Sequence, residues 1–215
     1  MKVKLIVPSS LRDIKLSQYQ KFIKATKDSD DSEYINRQLI ASLCNLTDDL
    51  VLKMSRKDYN SILESLLKIL EEKPTVQTNI YHNGIKYGLI PDLQNMTVGE
   101  QADLDSIYND YQKRDKVMAI LYRPITVESR GNYLIKEYTG EEEPLDLPMD
   151  VVKGAEVFFY NILSDCMIIT QSYIKDQEAA IKKLPALAKN GTGIKTFMHS
   201  LEGMFLNLKE QLNYH

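Results

Sequence analysis

The sequence predicts a predominantly α-helical α+β fold, in which a helical core carries one small antiparallel sheet built from two hairpins. Three observations favour this fold. Amphipathic helical patterns fill the first 73 residues, strand-like runs flank turn residues at about 76–90 and 122–138, and residues 149–173 form the most apolar segment. A chain of 215 residues is long enough to bury a sizeable core.

The N-terminal helices are predicted from their apolar spacing and from the residues that precede them. Residues 2–7 alternate lysine and apolar side chains up to Pro8, which predicts a short strand. Ser17 is placed to cap a first helix, and two further helices are expected at about 33–45 and from residue 55 onward. The last of these has the clearest apolar stripe: Tyr59, Ile62, Leu63, Leu66, Ile69 and Leu70.

The first hairpin and the helix after it are predicted from short-range signals. Asn83-Gly84 suits the positive φ angles of a tight two-residue turn. Thr97 and Glu100 have the spacing of a capping box, in which the hydroxyl accepts from the Glu100 N–H and the carboxylate accepts from the Thr97 N–H. A helix is therefore expected from this point to Arg123-Pro124, with a polar interruption at residues 112–116.

The second hairpin is predicted around the turn residues 129–132, and it is expected to share one sheet with the first. Arg123 directly precedes this hairpin. We expect its guanidinium to pair with a buried carboxylate, either Asp103 or Glu100, and this structural role is favoured over a binding role.

The C-terminal part is predicted to form a separate element. Residues 149–173 form the expected core helix, and a core domain at 1–175 is followed by a hinged amphipathic segment at 176–215. Apolar residues on the last helix repeat at intervals of four and three, which is typical of helix-on-helix packing. The helix is expected to dock on its own domain, on a sister subunit or on a partner. Its stripe is the candidate partner-binding surface: Ile194, Met198, Leu201, Phe205, Leu208 and Leu212.

Composition excludes several classes of function. The 27 basic residues and 30 acidic residues leave a net charge of −3, so no basic face for nucleic acid is expected. The apolar run near the N-terminus is too short for a secretion signal, and no stretch approaches the ~18 apolar residues of a membrane span. Cys44 and Cys166 are expected to be buried free thiols, because both lie in apolar helical patterns. We therefore expect the chain to act in a cytoplasm.

The sequence carries no recognisable catalytic motif. His82, His199 and His215 have no metal-binding spacing, and no nucleophile elbow, phosphate-binding loop or dinucleotide turn occurs. Asp103 and Asp105 point in different directions on a helix, which predicts solvated side chains and not a catalytic pair. The acidic run at residues 141–143 is likewise expected to be solvated. The sequence therefore predicts no catalytic residue, metal or cofactor.

Four segments resemble proteins of tailed bacteriophages: IVPSSLRDIKLSQYQKF, YGLIPDLQNMTVGEQADLD, MAILYRPI and LPMDVVKGAEVFFYNIL. The resemblance, to tail assembly chaperones and other virion morphogenesis proteins, covers about residues 2–163. It implies a non-enzymatic protein that binds other phage proteins, such as a tape-measure protein or tail and connector subunits. Such chaperones coat the apolar tape-measure protein until the tail tube polymerises around it. The helix from Ile194 onward lies outside the resemblance.

Three functions are therefore expected in order of preference. The first is a tail assembly chaperone, which acts in the host cytoplasm during assembly. The second is a structural virion component, such as a head–tail connector or ring subunit, which would also be a homo-oligomer. The third is a host-directed enzyme, which a ligand bound in a pocket lined by Asp103, Tyr122 and Arg123 would favour.

Overall fold

The computed structural model describes residues 5–91 and 96–160 of the chain. Over these residues the protein is mainly helical with one four-stranded antiparallel sheet, which confirms the predicted α+β fold. The chain divides into two units, Met1–Ala155 and Glu156–His215, and the second is described only at residues 156–160. The predicted hinged segment at 176–215 lies outside the described residues and stays a prediction.

The N-terminal part is helical, as predicted. A 3₁₀ turn at Leu11–Asp13 comes first. Four helices follow: α1 (Leu16–Thr26), α2 (Ser32–Leu43), α3 (Asp48–Leu52) and α4 (Arg56–Leu70). The stripe of α4 is confirmed, because Ile62, Leu66, Ile69 and Leu70 are buried.

The strand predicted at 2–7 is absent over its described residues, 5–7, and the predicted cap at Ser17 is wrong. Residues 5–7 are irregular, and Ile6 is exposed. The helix α1 begins at Leu16, so Ser17 lies inside its first turn and is not the cap. Instead, the Ser17 N–H and hydroxyl donate to the Asp146 carboxylate at 2.8 and 2.9 Å. A free N–H of the first helical turn is thus satisfied by a residue far away in the sequence.

The sheet is a simple meander. Its strands are β1 (Asn79–His82), β2 (Ile85–Leu89), β3 (Tyr122–Ser129) and β4 (Asn132–Ile135), in spatial order β1-β2-β3-β4 and all antiparallel. The two predicted hairpins therefore share one sheet, as expected. A bulge lies between Ile125 and Val127 of β3.

Both hairpin turns have positive φ angles at their two central residues. The angles are 49° and 79° at Asn83 and Gly84, and 50° and 83° at Arg130 and Gly131. This geometry matches the right-handed twist of the flanking strands. Asparagine enters the left-handed region readily, whereas arginine does so at a steric cost.

We expect Arg130→Asn to stabilise the fold by about 0.5 to 1 kcal/mol, because asparagine accepts the left-handed geometry that arginine adopts under strain. Urea unfolding of the two proteins measures the difference. The reverse change in the first hairpin, Asn83→Arg, is the matched control and should destabilise by a similar amount. Equal stability of the Arg130→Asn variant and the parent would contradict the assignment of strain.

Two helices lie between the hairpins: α5 (Val98–Ile107) and α6 (Arg114–Leu121), with a 3₁₀ turn at Tyr111–Lys113 between them. The predicted single helix is therefore two helices. The break at 108–113 overlaps the predicted polar interruption at 112–116 only in part, since residues 114–116 are helical. In the break, the side chain of Asp110 accepts from the Gln112 N–H at 3.0 Å. The chain passes from α6 directly into β3. The predicted helix end at Arg123-Pro124 is two residues late.

Residues 149–160 are helical, in agreement with the expected core helix, and residues 161–173 lie outside the described part. Val151, Val152 and Ala155 are buried. Gly154 lies close to the connection between α4 and β1. A Cβ atom at this position would come within 2.5 Å of the Thr75 carbonyl oxygen. No helix among residues 5–91 and 96–160 is long and apolar enough to cross a membrane.

Candidate functional site

The predicted partner-binding stripe falls outside the described residues. Its role therefore stays a prediction for all six residues: Ile194, Met198, Leu201, Phe205, Leu208 and Leu212. The described residues contain three other features to consider. They are a buried ion pair, a small cleft and an exposed face of the sheet.

The buried ion pair joins α5 to β3. Arg123 Nη1 lies 2.7 Å from Glu100 Oε1, and the two side chains are only 7% and 4% exposed. The second oxygen of Glu100 accepts from the Thr97 N–H at 2.5 Å, and the Thr97 hydroxyl accepts from the Glu100 N–H at 3.2 Å. One carboxylate therefore completes the predicted capping box and also neutralises the buried guanidinium.

This pair is a structural element. The prediction that Arg123 pairs with a buried carboxylate is confirmed, and the partner is Glu100 and not Asp103. Both charged groups are buried. The loss of either partner would leave the other charge buried and uncompensated, which is costly. The pair thus links α5 to β3.

The carboxylates Asp103 and Asp105 have different surroundings. Asp103 accepts from the Tyr138 hydroxyl at 2.7 Å; burial and this hydrogen bond both raise the pKa of Tyr138. Asp105 is half-buried, its Oδ1 atom has no hydrogen-bond partner among the described residues, and burial raises its pKa. The prediction of a solvated side chain is therefore wrong for Asp105, and the two residues form no acid–base pair.

The acidic run is only partly solvated. Glu141 and Glu143 are exposed, as predicted, but Glu142 organises the loop. Its carboxylate accepts from the Thr139 N–H at 2.7 Å, the Thr139 hydroxyl at 3.0 Å and the Gly140 N–H at 3.0 Å. Burial opposes ionisation of Glu142, but these hydrogen bonds outweigh it and lower the pKa of the carboxyl.

A cleft of about 220 Å³ lies between this loop, the sheet and α6. It is smaller than the ~300–1,000 Å³ of typical small-molecule sites. Tyr122 and Arg123 contribute to its wall, whereas Asp103, the third member of the predicted enzyme pocket, does not. The other lining residues are Tyr87, Ala119, Pro124, Lys136, Thr139, Glu141, Glu142, Glu143 and Leu145.

One face of the sheet exposes apolar side chains on three neighbouring strands. Ile85 on β2, Val127 on β3 and Leu134 on β4 are 47%, 54% and 64% exposed. Val127 and Leu134 are directly opposite each other in the ladder, so their side chains share a face. We call these three residues the outer face.

Ile85 joins this face through the register of the central ladder. Tyr87 is opposite Pro124, and Ile85 lies two residues before Tyr87 on the same face. In a regular strand, alternate side chains share a face, so Thr126 would lie on the same face as Pro124. The bulge inserts one extra residue, so Val127 takes that place.

On the opposite face, several side chains of the sheet contact one another. Tyr133 lies across Gly88, where a Cβ atom would collide with its ring, and the Tyr133 hydroxyl donates to the Leu89 carbonyl oxygen at 2.6 Å. Lys86 Nζ bonds both carboxylate oxygens of Glu128 at 2.7 and 2.6 Å. Polar and aromatic contacts therefore cover much of this side, although Tyr81, opposite Lys86 in the ladder, is 76% exposed on it.

Other candidate side chains have structural roles. Cys44 is a buried free thiol, as predicted, and burial raises its pKa to about 11, while Cys166 lies outside the described residues. The fully buried Arg114 guanidinium stacks on the rings of Tyr108 and Tyr111 at 4.7 and 5.0 Å. Within residues 5–91 and 96–160, no group of three or more His, Cys, Asp or Glu side chains could hold a metal ion.

Comparison with known proteins identifies no relative of this chain. It matches no protein family, no curated protein and no solved structure.

Proposed function

We propose that this chain is a non-enzymatic tailed-phage morphogenesis protein that acts by binding another protein, most simply as a tail assembly chaperone. The observation that carries the proposal is the outer face, where Ile85, Val127 and Leu134 are exposed on adjacent strands. Contiguous exposed apolar side chains are typical of protein-binding surfaces. The resemblance of residues 2–163 to phage assembly proteins supplies the biological setting, the cytoplasm of an infected host.

The surroundings of the polar groups support binding over catalysis. Glu100 and Arg123 neutralise each other in the interior, Asp103 holds Tyr138, and Glu142 holds its own loop. These groups are engaged in fixing the fold. The cleft beside them is smaller than a typical small-molecule site.

The fate of the protein in the virion tests the proposed role. A chaperone should be absent or nearly absent from purified particles, because it leaves when the tail tube is complete. Quantitative mass spectrometry of purified virions, with the major tail protein as internal standard, measures its copy number. A fixed copy number in mature particles would contradict the chaperone role and support the connector role.

The connector or ring subunit is the second candidate function. The observation that favours it is the pair of hairpins, whose tips expose apolar side chains that a neighbouring subunit of a closed ring could cover. A stable ring formed by the purified chain alone, seen as a discrete high mass in native mass spectrometry, is expected for this role. A chaperone should give no such species.

The predicted stripe from Ile194 to Leu212 is tested by truncation. Removal of all residues after Lys189 should leave the core folded, as judged by an unchanged unfolding midpoint, and should reduce binding of the co-expressed partner. Full binding by the truncated chain would remove the role predicted for this stripe.

A further inference from the structure

We propose that the outer face and the adjoining cleft together bind one amphipathic segment of another protein, and that this segment carries lysine or arginine at the end that meets Glu141 and Glu143. The inference rests on the proposed function and deepens it, since it names the surface and the chemistry of the partner.

The outer face and the cleft form one continuous surface. Tyr87, which lines the cleft, lies two residues after Ile85 on the same face of β2. Lys136, another lining residue, follows Leu134 by two, and its N–H donates to the Pro124 carbonyl oxygen at 2.8 Å, so the ladder continues to this point. A bound segment can therefore run from the hairpin tips into the cleft.

The charges at the two ends of this surface have opposite signs. Among the described residues that line the cleft, Glu141, Glu142 and Glu143 outnumber the one exposed cation, Lys136. The other cation, Arg123, is neutralised by Glu100. At the other end, the turn of the second hairpin carries the exposed Arg130. A segment whose basic end lies at the cleft pairs with the glutamates, whereas the opposite orientation places its basic end beside Arg130.

The size of the surface favours a segment over a second copy of this chain. Stable protein–protein interfaces bury ~800 Å² on each partner. The three residues of the outer face and the eleven that line the cleft are fewer than the ~20–30 residues that each partner contributes to such an interface. They match the apolar stripe of one amphipathic helix, whose anchors recur every three or four residues.

Designed peptides test this chemistry. The probes are 18-residue amphipathic peptides with one leucine stripe. Each carries two lysines, two glutamines or two glutamates at one of its two ends. Fluorescence anisotropy with the full chain measures their affinities. We expect a lysine-ended peptide to bind at least ten-fold more tightly than its glutamate-ended counterpart at low salt. The gap should close at high salt and in the Glu141→Gln/Glu143→Gln variant.

Substitution of the outer face completes the test. Leu134→Asp and Val127→Asp should each abolish binding of every peptide, whereas Val98→Asp, at a position on α5 that is 86% exposed, should leave binding unchanged. Both outer-face positions are exposed, so unchanged circular dichroism is expected, and either variant alone suffices if the other does not fold.

Three results would overturn the inference. They are equal affinity for lysine-ended and glutamate-ended peptides, binding that Leu134→Asp does not weaken, and a concentration-dependent dimer that Leu134→Asp abolishes. The last result would assign the outer face to a second copy. If a co-expressed phage partner still binds the Leu134→Asp variant, the proposed function stands and only this surface assignment fails.

Discussion

Arg123→Met should cost about 3 to 5 kcal/mol of unfolding free energy, because it leaves the Glu100 carboxylate buried without its counter-charge. The two side chains are 2.7 Å apart and almost fully removed from solvent. Glu100→Gln should have an effect of similar size, since it leaves the guanidinium uncompensated, although the amide oxygen can still accept from the Thr97 N–H. Urea unfolding monitored by circular dichroism measures both losses.

The double variant separates the energy of the Glu100–Arg123 interaction from the other contacts of the two side chains. Arg123→Met/Glu100→Gln removes both charges, so its loss should be smaller than the sum of the single losses by about 2 kcal/mol or more. The exposed pair Arg56–Glu33, at 3.9 Å, is the matched control, and Glu33→Gln should cause no measurable loss. If the losses of unfolding free energy at Glu100 and Arg123 were additive, the two side chains would not form the coupled pair described.

Gly154→Ala is the second change with a large expected effect. The added methyl group would lie 2.5 Å from the Thr75 carbonyl oxygen, and a backbone atom cannot rotate away as a side chain can. We expect a loss of at least about 2 kcal/mol, because this overpacking exceeds the gain in helix propensity of ~1 kcal/mol. Thermal and urea unfolding measure it.

Gly99→Ala provides the control for this substitution. Gly99 is also helical, in the first turn of α5, but a Cβ atom there meets nothing closer than 3.9 Å. The same change should therefore stabilise the protein by about 0.5 kcal/mol. A Gly154→Ala variant as stable as the parent would show that the close approach at Thr75 relaxes without cost.

The parts of the fold that were predictable from the sequence depend on local rules. Asn83-Gly84 determines its own turn, and Thr97 and Glu100 form a capping box because their spacing permits both hydrogen bonds. The alternatives open for Arg123 were both carboxylates of α5. Choosing Glu100 requires the tertiary arrangement, in which the cap and the ion pair share one carboxylate.

The outer face was not predictable in the same way. The bulge shifts the alternation of β3, so sequence periodicity alone places Val127 on the wrong side relative to Pro124. Asp105 shows the same limit, because its partial burial arises from packing that helix periodicity did not reveal.

Native mass spectrometry of the full chain tests the central claim, that this protein works by binding another protein. The chain would be expressed alone and together with the proteins encoded beside it, and the mass of each purified species would be recorded. We expect a discrete complex with one apolar partner and no large assembly of the chain by itself. An unchanged mass with every co-expressed protein would contradict the account.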